Sequence, residues 1–465
     1  MQGSHAAASS RTHLLPRYGI SAGTGINRLY CGLAVAVLVS ALLVILAFDV
    51  PPLQDYGDWT YQGYLLNRLL GSVGAPAIIK PWPVPNSISQ VLMAMLGVGL
   101  SPIAAAKTLI VAYLLGSTVV MTVASMGHDG RIDGAKLLLL LCLGVVHAPF
   151  WTGEINYQIG LLLFVTYVLR CQRHLEPSGR FTGCYAVVLF FCHALALGML
   201  MVYVGWRSLR RRQILQSLFS FAPAVVLAIW YKLADPRLDW DKSRPHLASI
   251  KDIIGYLSYQ LAKTGPYHNF VFADGGDYER ARLLYWLGCA TNLAFAACMI
   301  IIMLMWIRSS WRERHASDEL LTAFVLLALA SFDVGAVLGV ATLGERLIAP
   351  ALILAVMSLH RTTLAERIGA ALAALSVPVF LSFASAGLTA VERGTVPSND
   401  LVSDPERRLQ ILFWHKPFAF AELADAAEQS WAEGIPATLP ISFSTSLLMN
   451  ARSKDECRGC VPAGP

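Results

Sequence analysis

Charged residues are scarce in this chain, and their scarcity excludes several classes of protein. Only 14% of the 465 residues are Asp, Glu, Lys or Arg, whereas a soluble protein carries about 25%. A soluble enzyme, a coiled coil, a disordered scaffold and a nucleic-acid-binding protein are therefore excluded. Apolar residues make up 55% of the sequence, which indicates an integral membrane protein.

Motifs for nucleotide and hydrolase chemistry are also missing. The sequence has no phosphate-binding loop ending in Gly-Lys-Ser/Thr, no Gly-x-Ser-x-Gly elbow and no His-Glu-x-x-His. ATP-driven transport and the common hydrolases lose support. No cofactor is predicted, and no motif supports a divalent cation. Seven of the nine cysteines lie in or beside apolar stretches, which leaves only the Cys457-x-x-Cys460 pair as a candidate disulfide.

What the sequence has in abundance is long apolar runs. They predict an all-α, polytopic helical bundle of about 11 membrane segments over residues 29–390, between a cytoplasmic N-terminal segment 1–28 and an outer-face tail 391–465. The runs are 29–48, 102–126, 135–150, 155–170, 181–206, 214–233, 282–307, 320–341, 347–360 and 368–390.

The run 181–206 decides the topology, because it fits either one crossing or a hairpin of two short helices hinged near His193. A single crossing places nine later arginines in short outer loops, whereas a hairpin keeps them on the cytoplasmic side with Arg170, Arg173 and Arg180. The hairpin is therefore predicted. It places residues 49–101, the turn 151–156, the loop 234–281, residues 342–346 and the tail on the outer face.

The first outer region, 49–101, carries its own structure. Residues 58–70 place Trp59 and several leucines along one side of a helix, which we expect to lie on the membrane surface. Three prolines at 81–85 exclude regular helix, and Asn86 with Ser87 can cap a second helix to about residue 99.

Acidic residues in this region are the candidate catalytic groups. Asp55 and Asp58 follow the first membrane segment, where a carboxylate can act as a general base on an acceptor hydroxyl beside the bilayer. The alternative is that both are solvated loop acids, with Asp58 an N-cap of the surface helix.

Candidate substrate-binding residues lie at other outer positions: Arg346, Glu345, His193, Asn156, Glu154 and Lys80. The guanidinium of Arg346 suits a phosphate oxygen, and Glu345 can orient it. The alternatives are an interfacial ion pair between those neighbours, a packing role for His193, a helix cap for Asn156 and solvated charge for Lys80.

Asp333 lies inside the run 320–341, where an unpaired charge costs about 2.5–3.5 kcal/mol. It needs a partner, a proton or water. A structural acid, a cavity wall and a proton relay all remain open for it.

The order of these features resembles the GT-C-type membrane glycosyltransferases, which use polyprenyl-phosphate sugars, and bacterial multi-pass membrane proteins similar to them. The matching stretches cover most of residues 29–360: Pro51 to Asp58, Pro85-Asn86, Gly153 to Tyr157, Phe191 to Leu197, and Glu345-Arg346. The resemblance implies that Asp55 is the catalytic base, that Arg346 meets the lipid phosphate, and that a paired acid maps to Asp58. Trp59 stands where the related sequences often have His, so no assisting histidine is expected there.

The sequence and this resemblance predict an inverting glycosyltransferase of the bacterial cytoplasmic membrane, for cell-envelope polysaccharide. Its partners are a polyprenyl-phosphate sugar donor, a glycan or lipid acceptor and membrane lipids, with no nucleic acid. Two alternatives remain: a transporter or flippase for a lipid-linked saccharide or small anion, coupled through Asp333, and a glycan polymerase or ligase.

Overall fold

The computed structural model describes residues 24–48, 51–53, 55–127, 130–173, 175–234, 245–246, 282–313, 317–330, 333–334, 343–359, 362–392, 424–425, 427–433, 439 and 446–451. Within these ranges the chain is predominantly helical. The helices are α1 (Thr24–Ala47), α2 (Tyr56–Leu70), α3 (Ile88–Leu96), α4 (Pro102–Ser125), α5 (Gly134–Gly144), α6 (Ala148–Trp151), α7 (Ile155–Gln172), α8 (Gly179–Cys192), α9 (Ala194–Arg211), α10 (Ile214–Ala234), α11 (Arg282–Glu313), α12 (Asp318–Ala330), α13 (Leu343–Met357) and α14 (Leu364–Glu392). Four short strands accompany them: β1 (Ala77–Ile79), β2 (Pro245–His246), β3 (Asp333–Val334) and β4 (Leu448–Asn450).

Local sequence explains where several helices begin. The Ser101 side chain accepts a hydrogen bond from Ala104 N and precedes Pro102, which sets the start of α4 as predicted. Thr363 N donates to Glu366 Oε2 at 2.6 Å in a capping box at the start of α14. Such caps fix the helix ends at the polar edges of apolar runs.

Membrane-spanning character follows from length, composition and surface. In the described part of the chain, five helices are long and apolar enough to cross a membrane: Gly25–Ala47, Pro102–Ser125, Ser217–Ala234, Trp286–Arg308 and Leu364–Ser382. They expose large apolar side chains such as Leu43, Val119, Phe219 and Leu304. A contiguous apolar exterior of this kind fits lipid. The chain is a helical membrane protein.

Helix α5 forms the centre of the bundle. It packs against α1, α4, α13 and α14, and each of its residues from Gly134 to Gly144 is buried. A helix that is apolar on all sides is typical of such a central position. The start of α5 is held by polar contacts, since Lys136 Nζ donates to the carbonyls of Met357 and Leu359 at the end of α13.

The run 181–206 is a helical hairpin, as predicted. α8 ends at Cys192, His193 adopts an extended backbone, and α9 begins at Ala194. The start of α8 and the end of α9 lie close together. Arg207 and Arg211 in α9 both pair with Glu176, which precedes α8. Slight burial works against ionisation of Glu176, but the hydrogen bonds and charges of these arginines hold its pKa below the ordinary value.

The bundle has two chemically different ends. The basic end carries the starts of α1, α5, α8, α10, α12 and α14. Contacts between elements hold it together: Gly134 N donates to Asn27 Oδ1, and Arg210 Nη1 donates to Asp318 Oδ1. Arg173 at the end of α7 also donates to Val123 O in α4 at this end. The opposite end carries α2, α3, the start of α7, His193 and the start of α13. The described arginines are therefore concentrated at the basic end, away from most of the candidate residues.

At the opposite end, the first loop and the tail form one unit, the loop–tail module (residues 56–96 with the described residues of 424–451). β1 and β4 pair antiparallel, with Ile78 opposite Met449. The leucines of α2 pack against Ala424 and Leu448 from the tail, and Arg68 Nη1 lies 2.6 Å from Glu428 Oε2.

The structure corrects two expectations for this region. The apolar side of α2 is covered by protein at Trp59, Leu65, Leu66 and Leu69, and of the predicted stripe only Leu70 is exposed; this side is therefore not a membrane-facing surface. The helix also begins at Tyr56, with Asp55 at the N-cap, so Asp58 is not the cap. The side chain of Asp55 makes no capping hydrogen bond.

The run 320–341 is not helical throughout. α12 ends at Ala330, and Asp333 lies in β3, which pairs with β2 so that Asp333 stands opposite His246. The expectation that Asp333 lies within a membrane helix is therefore wrong. Apart from residues 245–246, the predictions for the loop 234–281, and those for Cys457 and Cys460, lie outside the described residues.

Candidate functional site

Four elements bring polar residues close together at the end of the bundle opposite the basic end. They are the N-terminus of α2, the turn between α6 and α7, the break between α8 and α9, and the first turn of α13. We call the residues that they contribute the polar end cluster: Asp55, Glu154, Asn156, Tyr157, His193 and Arg346. Sequence analysis selected all of these except Tyr157.

Asp55 reaches the cluster through a close backbone approach. Its N–H donates to Thr152 O at 3.0 Å. The next residue of that turn, Gly153, has φ +79°, and a Cβ atom there would lie 2.8 Å from Asp55 N. Both the positive φ and the lack of space require glycine at 153. The turn between α6 and α7 thus holds the start of α2 in place.

Glu154 and Arg346 form the ionic centre of the cluster. Arg346 Nη2 lies 2.6 Å from Glu154 Oε1, and both side chains are 16% exposed. Arg346 therefore has a carboxylate partner far away in sequence, although the sequence suggested the adjacent Glu345. A guanidinium held by one carboxylate still presents further N–H donors, so it can bind an anion while staying oriented.

Tyr157 and His193 close the cluster from the side of the hairpin. The Tyr157 hydroxyl donates to Arg346 O at 2.5 Å, and its ring meets the His193 ring edge-on at 5.3 Å between centroids. His193 Nδ1 accepts from Leu195 N at 3.2 Å, so a neutral ring carries its proton on Nε2. His193 is both the hinge of the hairpin and the N-cap of α9.

Asn156 holds α3 to α7. Its Oδ1 accepts from Ser89 N at 2.7 Å, and its Nδ2 donates to Asn86 O at 3.0 Å. Asn86 has φ +61°, and these bonds stabilise that turn at the start of α3. The side-chain amide is therefore engaged in positioning α3, and the capping role that the sequence offered serves α3 and not α7.

The remaining predicted site residues are placed differently. Asp58 is 1% exposed in the first turn of α2, where a carboxylate is favoured by the helix dipole. Lys80 is buried just after β1, and its backbone N–H donates to Leu447 O. Its side chain is therefore not the solvated surface charge that the sequence offered as an alternative. Glu345 lies in the first turn of α13, and its side chain is outside what the structure describes.

Sequence analysis missed a buried polar network below the cluster. The Tyr113 hydroxyl donates to Gln158 Oε1 at 2.6 Å, and His147 Nε2 lies 2.8 Å from Gln158 Nε2. All three side chains are buried. A signal was available for Gln158, which stands one helical turn beyond Glu154 on α7. His147 and Tyr113 gave none, because each is a single polar residue within an apolar run.

The arrangement offers a carboxylate at the start of α2, an oriented guanidinium and a histidine around one end of a membrane bundle. It can bind an anionic group and accept a proton from a hydroxyl. Among the described residues, no group of three or more His, Cys, Asp or Glu side chains is arranged to hold a metal ion.

Fold and cluster together define a polytopic helical membrane protein with a polar site at one end of its bundle. The chain matches no protein-family model, and no curated protein or solved structure is similar to it.

Proposed function

We propose that this protein is an inverting membrane glycosyltransferase with a GT-C-like architecture. It transfers a sugar from a polyprenyl-phosphate carrier to a glycan or lipid acceptor on the outer face of the bacterial cytoplasmic membrane. One observation carries the proposal: Glu154, His193 and Arg346 lie together at the end of the bundle opposite the basic end, and the Asp55 backbone is hydrogen-bonded to Thr152 beside them.

The orientation that we propose follows from the charges. The basic end faces the cytoplasm, because arginines in short loops stay on that side. In this proposal α1, α4, α5 and α7 to α14 act as membrane segments, with the shorter α5 and α13 buried among longer helices. The cluster and the loop–tail module face outward, where a flipped lipid carrier presents its sugar.

In the proposed reaction Asp55 accepts the proton of the acceptor hydroxyl while the acceptor oxygen attacks the anomeric carbon. The bond from that carbon to the phosphate oxygen breaks, and polyprenyl phosphate leaves with the electron pair. Arg346, held by Glu154, binds the phosphate and balances the charge that develops on it. Attack opposite to the leaving group inverts the anomeric configuration.

The test is complementation of a deletion strain followed by mass analysis of its surface glycans. Asp55→Asn removes the base, and positioned proton transfer contributes about 10²–10⁴-fold to a rate. We expect the deletion to remove a specific sugar that the wild-type gene restores and Asp55→Asn does not. Asp425→Asn, at an exposed tail position of the loop–tail module, is the matched control. Restoration by Asp55→Asn at normal expression would remove the assigned base.

A transporter or flippase is the second candidate, and the buried network of Tyr113, His147 and Gln158 favours it. Polar and ionisable groups inside a membrane bundle often serve ion or proton pathways. In this candidate His147 replaces Asp333 as the residue that couples transport to proton movement, because the Asp333 backbone lies in β3 and not in a membrane helix. His147→Ala should then abolish transport while Asp55→Asn has little effect. The glycosyltransferase predicts the reverse order for sugar transfer.

A further inference from the structure

The turn between α9 and α10 at the basic end has one arginine that differs from its neighbours. Three arginines at the end of α9 are paired with acids: Arg207 and Arg211 with Glu176, and Arg210 with Asp318. Arg212 follows them and makes no ion pair within the part of the chain that the structure describes. Its charge is therefore available to a ligand.

Arg212 has a backbone conformation that is unusual for arginine. Its φ and ψ are 58° and 34°, the left-handed conformation that ends many helices. Glycine is the usual residue there, because an L side chain adopts this conformation only at an energetic cost. The backbone alone favours glycine at 212, so any contribution of arginine at this position comes from its side chain.

Arg212 lines an open surface cavity of about 440 Å³ together with Leu209, Gln213, Ile214 and Leu215. The three apolar residues of this wall are exposed. They lead into the apolar, exposed side of α10 at Leu218 and Phe219. The Ser208 and Ser217 hydroxyls are hydrogen-bonded to each other across the turn, which holds α9 and α10 together beside the cavity.

We infer that this cavity binds the headgroup of an anionic phospholipid, with Arg212 contacting the phosphate. The guanidinium and the N-terminus of α10 supply positive charge for the headgroup. The exposed Leu215, Leu218 and Phe219 supply the surface along which acyl chains run. A free phosphate needs no such apolar wall, and this favours a lipid as the occupant.

Arg212→Gly is a sharp test, since it removes the cation while it supplies the residue that the backbone prefers. The purified protein is titrated with phosphatidylglycerol in phosphatidylcholine mixed micelles, and lipid-dependent thermal stabilisation is measured. One basic side chain near an anionic surface contributes roughly a fivefold change in affinity. We expect Arg212→Gly to weaken the apparent affinity for phosphatidylglycerol about fivefold, with unchanged or higher stability in phosphatidylcholine alone.

Two further variants separate charge from position. Arg212→Lys keeps the charge and the unfavourable backbone, and should retain most of the phosphatidylglycerol effect. Arg28→Gln removes an exposed arginine from α1 at the same basic end and should retain all of it. The inference is overturned if the wild type does not prefer phosphatidylglycerol, if Arg28→Gln weakens binding as much as Arg212→Gly, or if inorganic phosphate displaces the lipid effect at Arg212.

Discussion

Gly153 shows how much of the candidate site depends on single backbone positions. It lies between Thr152, which binds the Asp55 backbone, and Glu154, which holds Arg346. Its positive φ and its contact with Asp55 mean that any side chain there would push α2 away from the turn. Asp55 and the ion pair would then no longer share one site.

We expect Gly153→Ala to lower both stability and activity. Alanine at positive φ costs roughly 1–2 kcal/mol, and the overlap with Asp55 N adds about 1–3 kcal/mol. Gly130→Ala is the matched control, because Gly130 has φ +73° but open space where its Cβ would lie. Thermal denaturation in detergent, with the glycan assay alongside, should show a larger loss for Gly153→Ala. Equal losses would mean that the close approach to Asp55 has no energetic importance.

The sequence predicted which residues belong to the site better than it predicted the contacts that these residues make. His193 was predicted as a hinge, because a break there keeps the later arginines on the cytoplasmic side. The Glu154–Arg346 pair was not predicted, since a contact between α7 and α13 depends on how the whole bundle packs. Asn156 was found but given the wrong partner for the same reason.

The α8–α9 hairpin fits tightly against α7. A Cβ on Gly160 of α7 would lie 2.7 Å from Ala196 Cβ and 3.3 Å from Cys192 Cβ. The hinge at His193 therefore packs directly on the backbone of α7. This contact sets the position of His193 relative to Tyr157.

Gly160→Ala should consequently destabilise the protein by about 1–3 kcal/mol, the usual cost of overpacking. Gly198→Ala, on α9 of the same hairpin, meets no atom within 4 Å. It should leave stability unchanged or raise it by about 0.5–1 kcal/mol through helix propensity. The measurement is the difference in thermal stability between the two variants in one detergent. A more stable Gly160→Ala would contradict the close packing of the hairpin on α7.

Helices were predictable from the sequence and strands were not. The run 214–233 corresponds to α10 (Ile214–Ala234), because apolar length and flanking polar residues set its limits. β1 and β4 have three residues each and pair across almost the whole chain, so neither carries a local signal. The burial of α2 under the tail was missed for the same reason, since an amphipathic helix can face lipid or protein.

At the scale of the whole molecule, the separation between the basic end and the polar end cluster is the main organising feature. In the proposed orientation the two ends face opposite sides of the membrane. This can be tested by cysteine labelling in intact cells, in a background without the native cysteines. We expect a cysteine beside Arg346 to react with an impermeant thiol reagent, and a cysteine at Arg210 to be protected until the membrane is opened.

Reactivity at Arg210 with protection beside Arg346 would invert the orientation and place the cluster in the cytoplasm. The glycosyltransferase proposal in its present form would then fail, while the hairpin itself would stand. Reactivity at both positions would mean that the membrane does not separate these two ends of the bundle.

The pairing of β1 with β4 has a consequence for how the protein is made. β1 emerges early during synthesis, and β4 emerges only after α14 has left the ribosome. Until then Leu65, Leu66 and Leu69 of α2 lack the tail residues that cover them in the finished protein. Completion of the loop–tail module therefore comes late and follows the synthesis of α14, and the newly made chain must protect this apolar surface until then.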